Sequence, residues 1–172
     1  MVGRRFEDAV MPHLDAAFNY ARWLTRSDVD AEDLVQDACV RAMRFLSSLR
    51  EGNARPWLFA IVRNTWYSRR SRRDAVVESP AHLAVDEGVD EALDPEQRLV
   101  QQDTVRRVRR ALEGLPAEFR EAIVLRDIEG LSYKEIAEAL QVPIGTVMSR
   151  LSCGRERLLE SLAAPIQAEV AR

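Results

Sequence analysis

The chain has 172 residues, of which 47% are hydrophobic, so it can bury the cores of one or two small globular domains. The formal net charge is −3, but residues 74–104 carry −8, whereas residues 1–73 carry +4 and residues 105–172 carry +1. No apolar run approaches the roughly 18 residues that span a bilayer, and the N-terminus lacks the apolar segment of a signal peptide, so we expect a cytoplasmic protein without membrane insertion.

Two helices are predicted in the first fifty residues. Phe6 to Leu24 has apolar residues at helical spacing, and Asp30 is expected to cap a second helix with Asp33 in its first turn. The inward side of that second helix is expected to carry Leu34, Ala38, Ala42, Phe45 and Leu49. Its exposed side is expected to carry Glu32, Asp33, Gln36, Asp37, Arg41 and Arg44. The acidic residues at its start serve either as ordinary caps or as a docking surface for a basic partner.

A third helix is predicted to begin near Pro56, since proline is favoured in a first helical turn, and to end in an arginine-rich run. One side is apolar, through Leu58, Ile61, Val62 and Thr65. Another side alternates aromatic and basic residues, at Phe59, Arg63, Trp66 and Arg70. Such a side suits single-stranded nucleic acid, because bases stack on rings while guanidinium groups follow the backbone. Alternatively, Trp57, Phe59 and Trp66 belong to the core; the pairs Arg69-Arg70 and Arg72-Arg73 favour the nucleic-acid interpretation.

The residues from 74 to about 95 are predicted to be a linker, because acidic residues cluster there with Pro80 and Gly88 and no apolar period is sustained. The linker is either a solubilising spacer or a shield for a basic domain. Helical spacing resumes at Asp94-Pro95 and reaches a break at Gly114, with apolar residues at Leu99, Val105, Val108 and Leu112. A further helix is predicted from Pro116 to a glycine stop at Gly130.

Residues 131–162 are predicted to form a helix-turn-helix. Ser132 and Glu135 have the spacing of a capping box, and Pro143 follows the first helix and starts the second. Gln141 lies in the turn where glycine is preferred, so we expect a strain of up to about 1 kcal/mol there. The second helix keeps apolar residues at Val147, Leu151, Leu158 and Leu162. An ordinary helical hairpin is the alternative.

The exposed side of that second helix is the candidate DNA-reading surface, because hydroxyl and guanidinium groups near the start of a braced helix suit a major groove. The candidate residues are Thr146, Met148, Ser149, Arg150, Ser152, Cys153 and Arg155.

No catalytic or cofactor site is predicted. His13 and His82 are far apart, no glycine-rich phosphate loop occurs, and the carboxylates lie at helix caps or in the linker. Cys39 and Cys153 flank no metal-binding spacing, so we expect reduced, partly buried thiols, no metal, and a protein that is not an enzyme.

Together these elements predict an all-α fold of two small helical domains joined by an acidic linker, with the helix-turn-helix in the second. The chain resembles the extracytoplasmic-function (ECF) family of bacterial sigma factors, and the resemblance covers residues 5–162. It rests on DAEDLVQDACVRAMR at 30–44, ARPWLFAIVRN at 54–64 and LPAEFREAIVLRDIEGLSYKEIAEALQVPIGTVMSRL at 115–151.

The resemblance implies a domain organisation and a set of partners. Residues 1–75 would form a region 2-like domain, residues 76–95 the linker, and residues 96–172 a region 4-like domain for the −35 element. The partners would be core RNA polymerase, through the clamp of its largest subunit, promoter DNA, and an anti-sigma factor.

The resemblance also implies roles for individual residues. Asp33, Gln36 and Asp37, with Arg41, would bind the polymerase clamp. Trp57, Phe59 and Asn64 would contact the upstream part of the melted −10 element, and the basic run through Arg73 would form the adjacent loop that holds a flipped base in a pocket. Met148 and Cys153 stand where relatives frequently have arginine or another polar residue, so we expect less guanine-centred readout of the −35 element.

Two other functions fit parts of the pattern. One is a stand-alone helix-turn-helix regulator that acts without polymerase, and the other is an adaptor that titrates anti-sigma proteins. The aromatic and basic stretch at 54–73 argues against the first, since a protein that binds only duplex DNA has no use for it.

Overall fold

A computed structural model describes residues 2–73 and 94–164, with side chains from Arg5 onwards. Within these residues all regular structure is helical, which confirms the predicted all-α class. The helices are α1 (Val2–Val10), α2 (Leu14–Thr25), α3 (Asp28–Arg44), α4 (Ala54–Arg73), α5 (Pro95–Glu113), α6 (Ala117–Ile123), α7 (Tyr133–Leu140) and α8 (Ile144–Ala163), with short turns of 3-10 helix at Met11–His13 and Leu46–Ser48 and of π-helix at Val124–Ile128.

The first predicted helix is interrupted. A turn of 3-10 helix at Met11–His13 separates α1 from α2, and Pro12 lies in the middle of it. Proline has no N–H group and its ring collides with the preceding turn, so a continuous α-helix through Pro12 is unfavourable. The prediction of a single helix from Phe6 to Leu24 is therefore wrong.

The start of α3 also differs from the prediction. The helix begins at Asp28, and the cap is Ser27, whose hydroxyl accepts a hydrogen bond from the Asp30 N–H at 3.1 Å. Asp30 therefore lies in the first turn, where its carboxylate still favours the positive end of the helix. The prediction that Asp30 is the cap is wrong by three residues.

The described residues fall into two compact units. The first contains residues 2–73 and 124–147, and the second contains residues 94–123 and 148–164. In the first unit α2, α3 and α4 pack against one another. Their core is built from fully buried side chains, chiefly Tyr20, Leu34, Leu58, Phe59 and Val62.

Helix α7 belongs to the first unit because it packs on α4. The Arg55 guanidinium at the start of α4 donates a hydrogen bond to the backbone carbonyl of Glu129, just before α7. These contacts place residues 124–147 in the first unit, whereas the sequence prediction placed residue 124 onwards in the second domain. The predicted domain boundaries at residues 75, 76–95 and 96 remain a prediction.

In the second unit α8 packs against α6. Gly154 is buried there: a Cβ atom built on it would lie 2.9 Å from Ile123 Cδ1 and 3.1 Å from Phe119 Cβ. The Arg157 guanidinium lies 4.8 Å from the centroid of the Phe119 ring. The apolar side of α5 that the helical spacing predicts is buried only near the end of the helix, at Ala111 and Leu112. Leu99, Val105 and Val108, which the same spacing places on that side, are exposed.

Most of the predicted linker, residues 74–93, and the tail from Pro165 lie outside the described residues. Asp94 and Pro95 behave as predicted, since Pro95 opens α5 directly after Asp94. None of the described helices combines the length and the apolar character that crossing a membrane requires.

Candidate functional site

The outward side of α3 carries the residues expected to bind a partner. Asp33, Gln36 and Asp37 are exposed, and Arg41 is half-buried. The inward side is closed by Leu34, Ala38 and Ala42, all of which are fully buried. A rigid, buried inner side fixes the direction of the acidic outer side, which suits docking to a basic surface.

Two apolar residues extend this outer side, and a third exposed apolar residue follows the end of the helix. Val40 and Met43 are 44% and 51% exposed, and Phe45, which was expected to face the core, is 58% exposed. Phe45 is outside the core because α3 ends at Arg44, so the helical spacing no longer applies to it. Sequence reasoning missed Val40 and Met43, although their spacing of three to seven residues from Gln36 and Asp37 places them on the same side.

Helix α4 divides its aromatic residues between the core and the surface. The Phe59 ring is fully buried, with its centroid 5.2 Å from that of Tyr20. Phe59 therefore does not belong to an exposed aromatic and basic side, and that expectation is wrong. Trp57 is half-buried, and its indole N–H donates to the Ser48 hydroxyl at 3.2 Å.

The outer part of α4 still combines aromatic, amide and basic groups. Asn64 is exposed, and Trp66 is half-buried. The Arg63 guanidinium lies 4.7 Å from the centroid of the Tyr67 ring. Tyr67 was not singled out in the sequence, although its spacing of four residues from Arg63 places the two side chains together on a helix.

The four arginines at the end of α4 are not equivalent. Arg70, Arg72 and Arg73 are exposed. Arg69 instead donates from Nε to Asp37 Oδ2 at 3.0 Å and from Nη2 to the backbone carbonyl of Asp33 at 3.0 Å. The run expected to contact nucleic acid thus includes one residue that bonds to the expected partner surface on α3.

The helix-turn-helix segment has the predicted local geometry. The Ser132 N–H donates to Glu135 Oε2 at 2.8 Å, and the Glu135 N–H donates to Ser132 Oγ at 3.1 Å, which completes the capping box. Gln141 ends α7 in the left-handed conformation, with φ 56° and ψ 47°. Before α7, the Arg126 guanidinium donates to the Leu131 carbonyl at 2.7 Å and lies over the Tyr133 ring.

Helix α8 follows this turn and carries the candidate reading residues. Val147 and Leu151 are buried, and the side chains expected to contact DNA lie between and beside them in the sequence. Met148 is 53% exposed, Ser149, Ser152 and Cys153 are exposed, and Thr146, Arg150 and Arg155 are half-buried. Arg150 lies 4.0 Å from the Glu118 carboxylate, the outer limit of an ion pair.

Burial shifts the pKa values of three groups. It lowers the pKa of His13, helped by the nearby Arg55 charge and opposed by Glu135, and it raises the pKa of the Cys39 thiol. Burial also raises the pKa of Glu129, against the opposing effect of Arg55. Among the described residues, no three His, Cys, Asp or Glu side chains are grouped as metal ligands would be.

The fold and these surfaces define a helical DNA-binding protein whose helix-turn-helix accompanies a separate acidic and arginine-rich surface. Two family models match the chain: "Sigma-70 region 2" over residues 9–76 and "Sigma-70, region 4" over residues 105–158. The first match includes α3 and α4, and the second includes the helix-turn-helix. The presence of both regions supports a sigma factor, and the alternative of a regulator that acts without polymerase is not favoured.

Curated relatives and solved structures agree with these matches. The chain is 35% identical to the ECF RNA polymerase sigma factor SigE of Mycolicibacterium smegmatis, over 92% of this chain and 62% of that protein. It is 34% identical to the ECF RNA polymerase sigma-E factor of Escherichia coli, over 75% of this chain and 72% of that protein. The sigma factor RpoE from Bartonella quintana, solved with the anti-sigma factor NepR, matches with a TM-score of 0.71 at 32% identity, covering 93% of this chain and 98% of that one.

The chain therefore belongs to the ECF family of RNA polymerase sigma factors, which is not an enzyme class. Its two-domain helical organisation is that of the family. The chain spans 62% of the length of the M. smegmatis relative.

Proposed function

We propose that this protein binds core RNA polymerase and directs transcription initiation at promoters that it recognises through −10 and −35 elements. The observation that carries the proposal is the order of two sigma-70 regions on one chain, each falling on helices with the appropriate exposed chemistry. The protein would act in the cytoplasm and would have no catalytic activity of its own.

The proposed polymerase surface is the outer side of α3. Asp33, Gln36 and Asp37 supply charge and hydrogen-bonding groups, and the exposed Val40 and Met43 supply apolar area beside them. Interfaces combine an apolar centre with a polar rim, and this side of α3 offers both. The proposed target is the clamp of the largest polymerase subunit.

The proposed −10 surface is the outer part of α4. Trp57, Asn64 and Trp66 offer rings and an amide to unstacked bases, and Arg70, Arg72 and Arg73 offer guanidinium groups to phosphates. Phe59 supports this helix from the core and does not itself stack on bases. The proposed −35 surface is α8, through Thr146, Met148, Ser149, Arg150, Ser152, Cys153 and Arg155.

An anti-sigma factor is proposed as a further partner. The support for it is that a solved relative, RpoE from Bartonella quintana, is described in complex with the anti-sigma factor NepR.

The decisive experiment is initiation in vitro with purified core polymerase. The full-length protein and core should together produce transcripts with defined 5′ ends from fragmented genomic DNA, and core alone should not. Sequencing DNA bound by the same complex should give a shared pair of motifs upstream of those ends. Specific DNA binding that is unaffected by core would instead support a stand-alone regulator.

A further inference from the structure

Arg69 connects two surfaces that carry different proposed functions. It belongs by sequence to the arginine run of α4, and it bonds to α3 through two of its nitrogen atoms. Nε donates to Asp37 Oδ2 at 3.0 Å, Nη2 donates to the Asp33 carbonyl at 3.0 Å, and Nη2 also donates to Asp37 Oδ2. The Asp37 side chain remains 54% exposed, whereas that of Arg69 is 28% exposed.

These bonds restrict both partners. A guanidinium group has five N–H donors in a fixed fork, and the donors that point at α3 cannot at the same time fork onto a phosphate. The Asp37 carboxylate oxygen that accepts them is likewise unavailable to a cation of a docking protein. Arg69 and Asp37 therefore occupy each other in this structure, while Arg70, Arg72 and Arg73 stay exposed.

We propose that Arg69 is a positioning residue that couples polymerase docking on α3 to nucleic-acid contact at the end of α4. The inference rests on the proposed function. When a basic group of the polymerase takes the Asp37 carboxylate, the Arg69 guanidinium is released and adds one charge to the arginine run. Because coupling between two binding sites is reciprocal, a phosphate that takes Arg69 also releases Asp37 for polymerase.

The size of the coupling follows from the exposure of the pair. Surface ion pairs of this kind change an equilibrium by about two- to fivefold. A change of that size is small for stability, but it is measurable in binding.

The first test uses the full-length protein without polymerase and a short oligothymidylate as the single-stranded probe. In Asp37→Asn the charge that pairs with Arg69 is lost and only the Asp33 carbonyl and a neutral amide oxygen remain as acceptors, so Arg69 is held more weakly and affinity for the probe should rise about two- to fivefold. The slope of log affinity against log salt should steepen by about 0.7, as expected for one more phosphate contact on a single strand. Glu32→Gln is the matched control: it removes the same charge from an exposed position of the same helix but keeps the Asp33 carbonyl and the Asp37 carboxylate that hold Arg69. Its salt slope should equal that of the wild type.

The second test measures binding to core polymerase with and without the same probe. Arg69→Gln unmasks Asp37, so affinity for core in the absence of probe should rise about two- to fivefold. The increase that the probe causes in the wild type should shrink by the same factor. Arg50→Gln removes an equal charge from an exposed residue with no proposed contact to polymerase or DNA, and the affinity of that variant for core without probe should not change.

The outcomes separate the coupling from the proposed function. If the wild type does not bind core, both ideas fail. If it binds core, and the Asp37→Asn salt slope matches that of Glu32→Gln, the coupling fails and the proposed function stands. A purely structural role for Arg69 predicts that Arg69→Gln weakens core binding and lowers the melting temperature, and this result would also overturn the coupling. Should Arg69→Gln not melt cooperatively, the Asp37→Asn salt slope alone decides.

Discussion

Gly154 lies at a close approach between α8 and α6, where even one additional carbon atom collides. A Cβ atom would be 2.9 Å from Ile123 Cδ1, which can rotate away, and 3.1 Å from Phe119 Cβ, which is fixed to the backbone. Overpacking of this kind costs about 1–3 kcal/mol, and the better helix propensity of alanine offsets about 1 kcal/mol of it. We expect Gly154→Ala to lower the free energy of unfolding by up to about 2 kcal/mol, measured by urea denaturation.

Gly145 provides the matched control for this substitution. It lies in the same helix, and a Cβ atom there would meet nothing within 4 Å. Gly145→Ala should therefore leave stability unchanged or raise it by up to about 1 kcal/mol. Equal losses in the two variants would contradict the packing explanation.

His13 should make stability depend on pH near neutrality. Burial and the Arg55 charge lower its pKa in the folded protein, and Glu135 opposes them. Below the ordinary value of 6.5 the unfolded chain therefore binds a proton that the folded chain resists, so stability falls as pH falls through this range. We expect the melting temperature to drop between pH 7 and pH 5.5, and His13→Asn to flatten that dependence.

The raised pKa of Glu129 acts in the opposite direction. Its folded form takes up a proton at a higher pH than the ordinary value of 4.5, so acidification through that range adds stability.

A His13→Asn variant whose melting temperature still falls between pH 7 and pH 5.5 as in the wild type would assign the effect to other groups.

Residues whose partners are distant in the chain could not be placed from sequence. Phe59 and Trp57 are both aromatic and two positions apart, but Phe59 is buried beside Tyr20 in the core whereas Trp57 is half-buried. Arg69 was grouped with its neighbouring arginines, because its bond to Asp37 joins residues 32 positions apart. The spacing of residues along one helix does not show which residues of another helix pack against it.

At the scale of elements, the turn between α7 and α8 stores a small strain at Gln141. Its φ of 56° is a conformation that costs an L-residue about 1–2 kcal/mol and costs glycine little. Gln141 is exposed, so its side chain contributes little packing to offset that cost. We expect Gln141→Gly to raise the free energy of unfolding by about 0.5–1 kcal/mol, seen as a higher urea midpoint.

A β-branched residue at the same position tests the same idea in reverse. Gln141→Val should be destabilising, because β-branched side chains are strongly disfavoured at positive φ. If glycine and valine have the same effect on the urea midpoint, backbone strain at this turn is not the cause.

Substitutions of two aromatic residues of α4 should have different effects, one on promoter opening and the other on stability. Stacking of a base on an aromatic ring is worth about 1–3 kcal/mol, so Trp57→Ala should slow open-complex formation roughly tenfold on duplex promoter DNA. A pre-melted promoter should restore most of the rate, since the helix no longer has to capture bases as they separate. Stopped-flow fluorescence with the polymerase holoenzyme measures both rates.

Phe59→Leu is the comparison, because the Phe59 ring is buried against Tyr20. We expect it to lower the free energy of unfolding by roughly 1–2 kcal/mol. Any loss of open-complex rate should be the same on duplex and pre-melted templates. Rescue of Phe59→Leu by pre-melting would instead return Phe59 to the −10 surface.

Elements with short-range signals were predictable. The capping box of α7 pairs residues three apart, Pro95 opens α5, and Gly130 has φ 69° where a glycine stop was expected. The helix break at Pro12 was visible in the sequence but was outweighed by apolar spacing across it. The predicted start of α3 is wrong because Ser27, Asp28 and Asp30 are all good capping residues, and residue type alone does not show which of them is the cap.

For the whole molecule, the composition of α8 predicts how promoter choice is divided between the two proposed DNA-binding surfaces. Met148 and Cys153 can contact thymine methyl groups but cannot make the bidentate pair with guanine, which is worth about 1–3 kcal/mol of discrimination. We therefore expect α8 to anchor mainly through phosphates. Arg150→Ala should weaken binding similarly across −35 variants and reduce the salt slope by about one unit.

Met148→Arg is the complementary variant. It adds a side chain that can pair with guanine at an exposed position, so a new guanine preference should emerge in a −35 library selected with holoenzyme. Sharp base preferences of the wild-type protein at several −35 positions, with a shallow salt dependence, would contradict phosphate anchoring.

The packing of α7 on α4 has a consequence for how the chain is made. Roughly sixty residues separate the end of α4 at Arg73 from the start of α7 at Tyr133. At about 5–20 residues per second, a ribosome needs about 3–12 s to add them. During that time α7 does not yet exist, so the side of α4 on which it packs is not covered by it. Folding of the first unit is therefore not completed in order of synthesis, because α7 is translated only after α5 and α6.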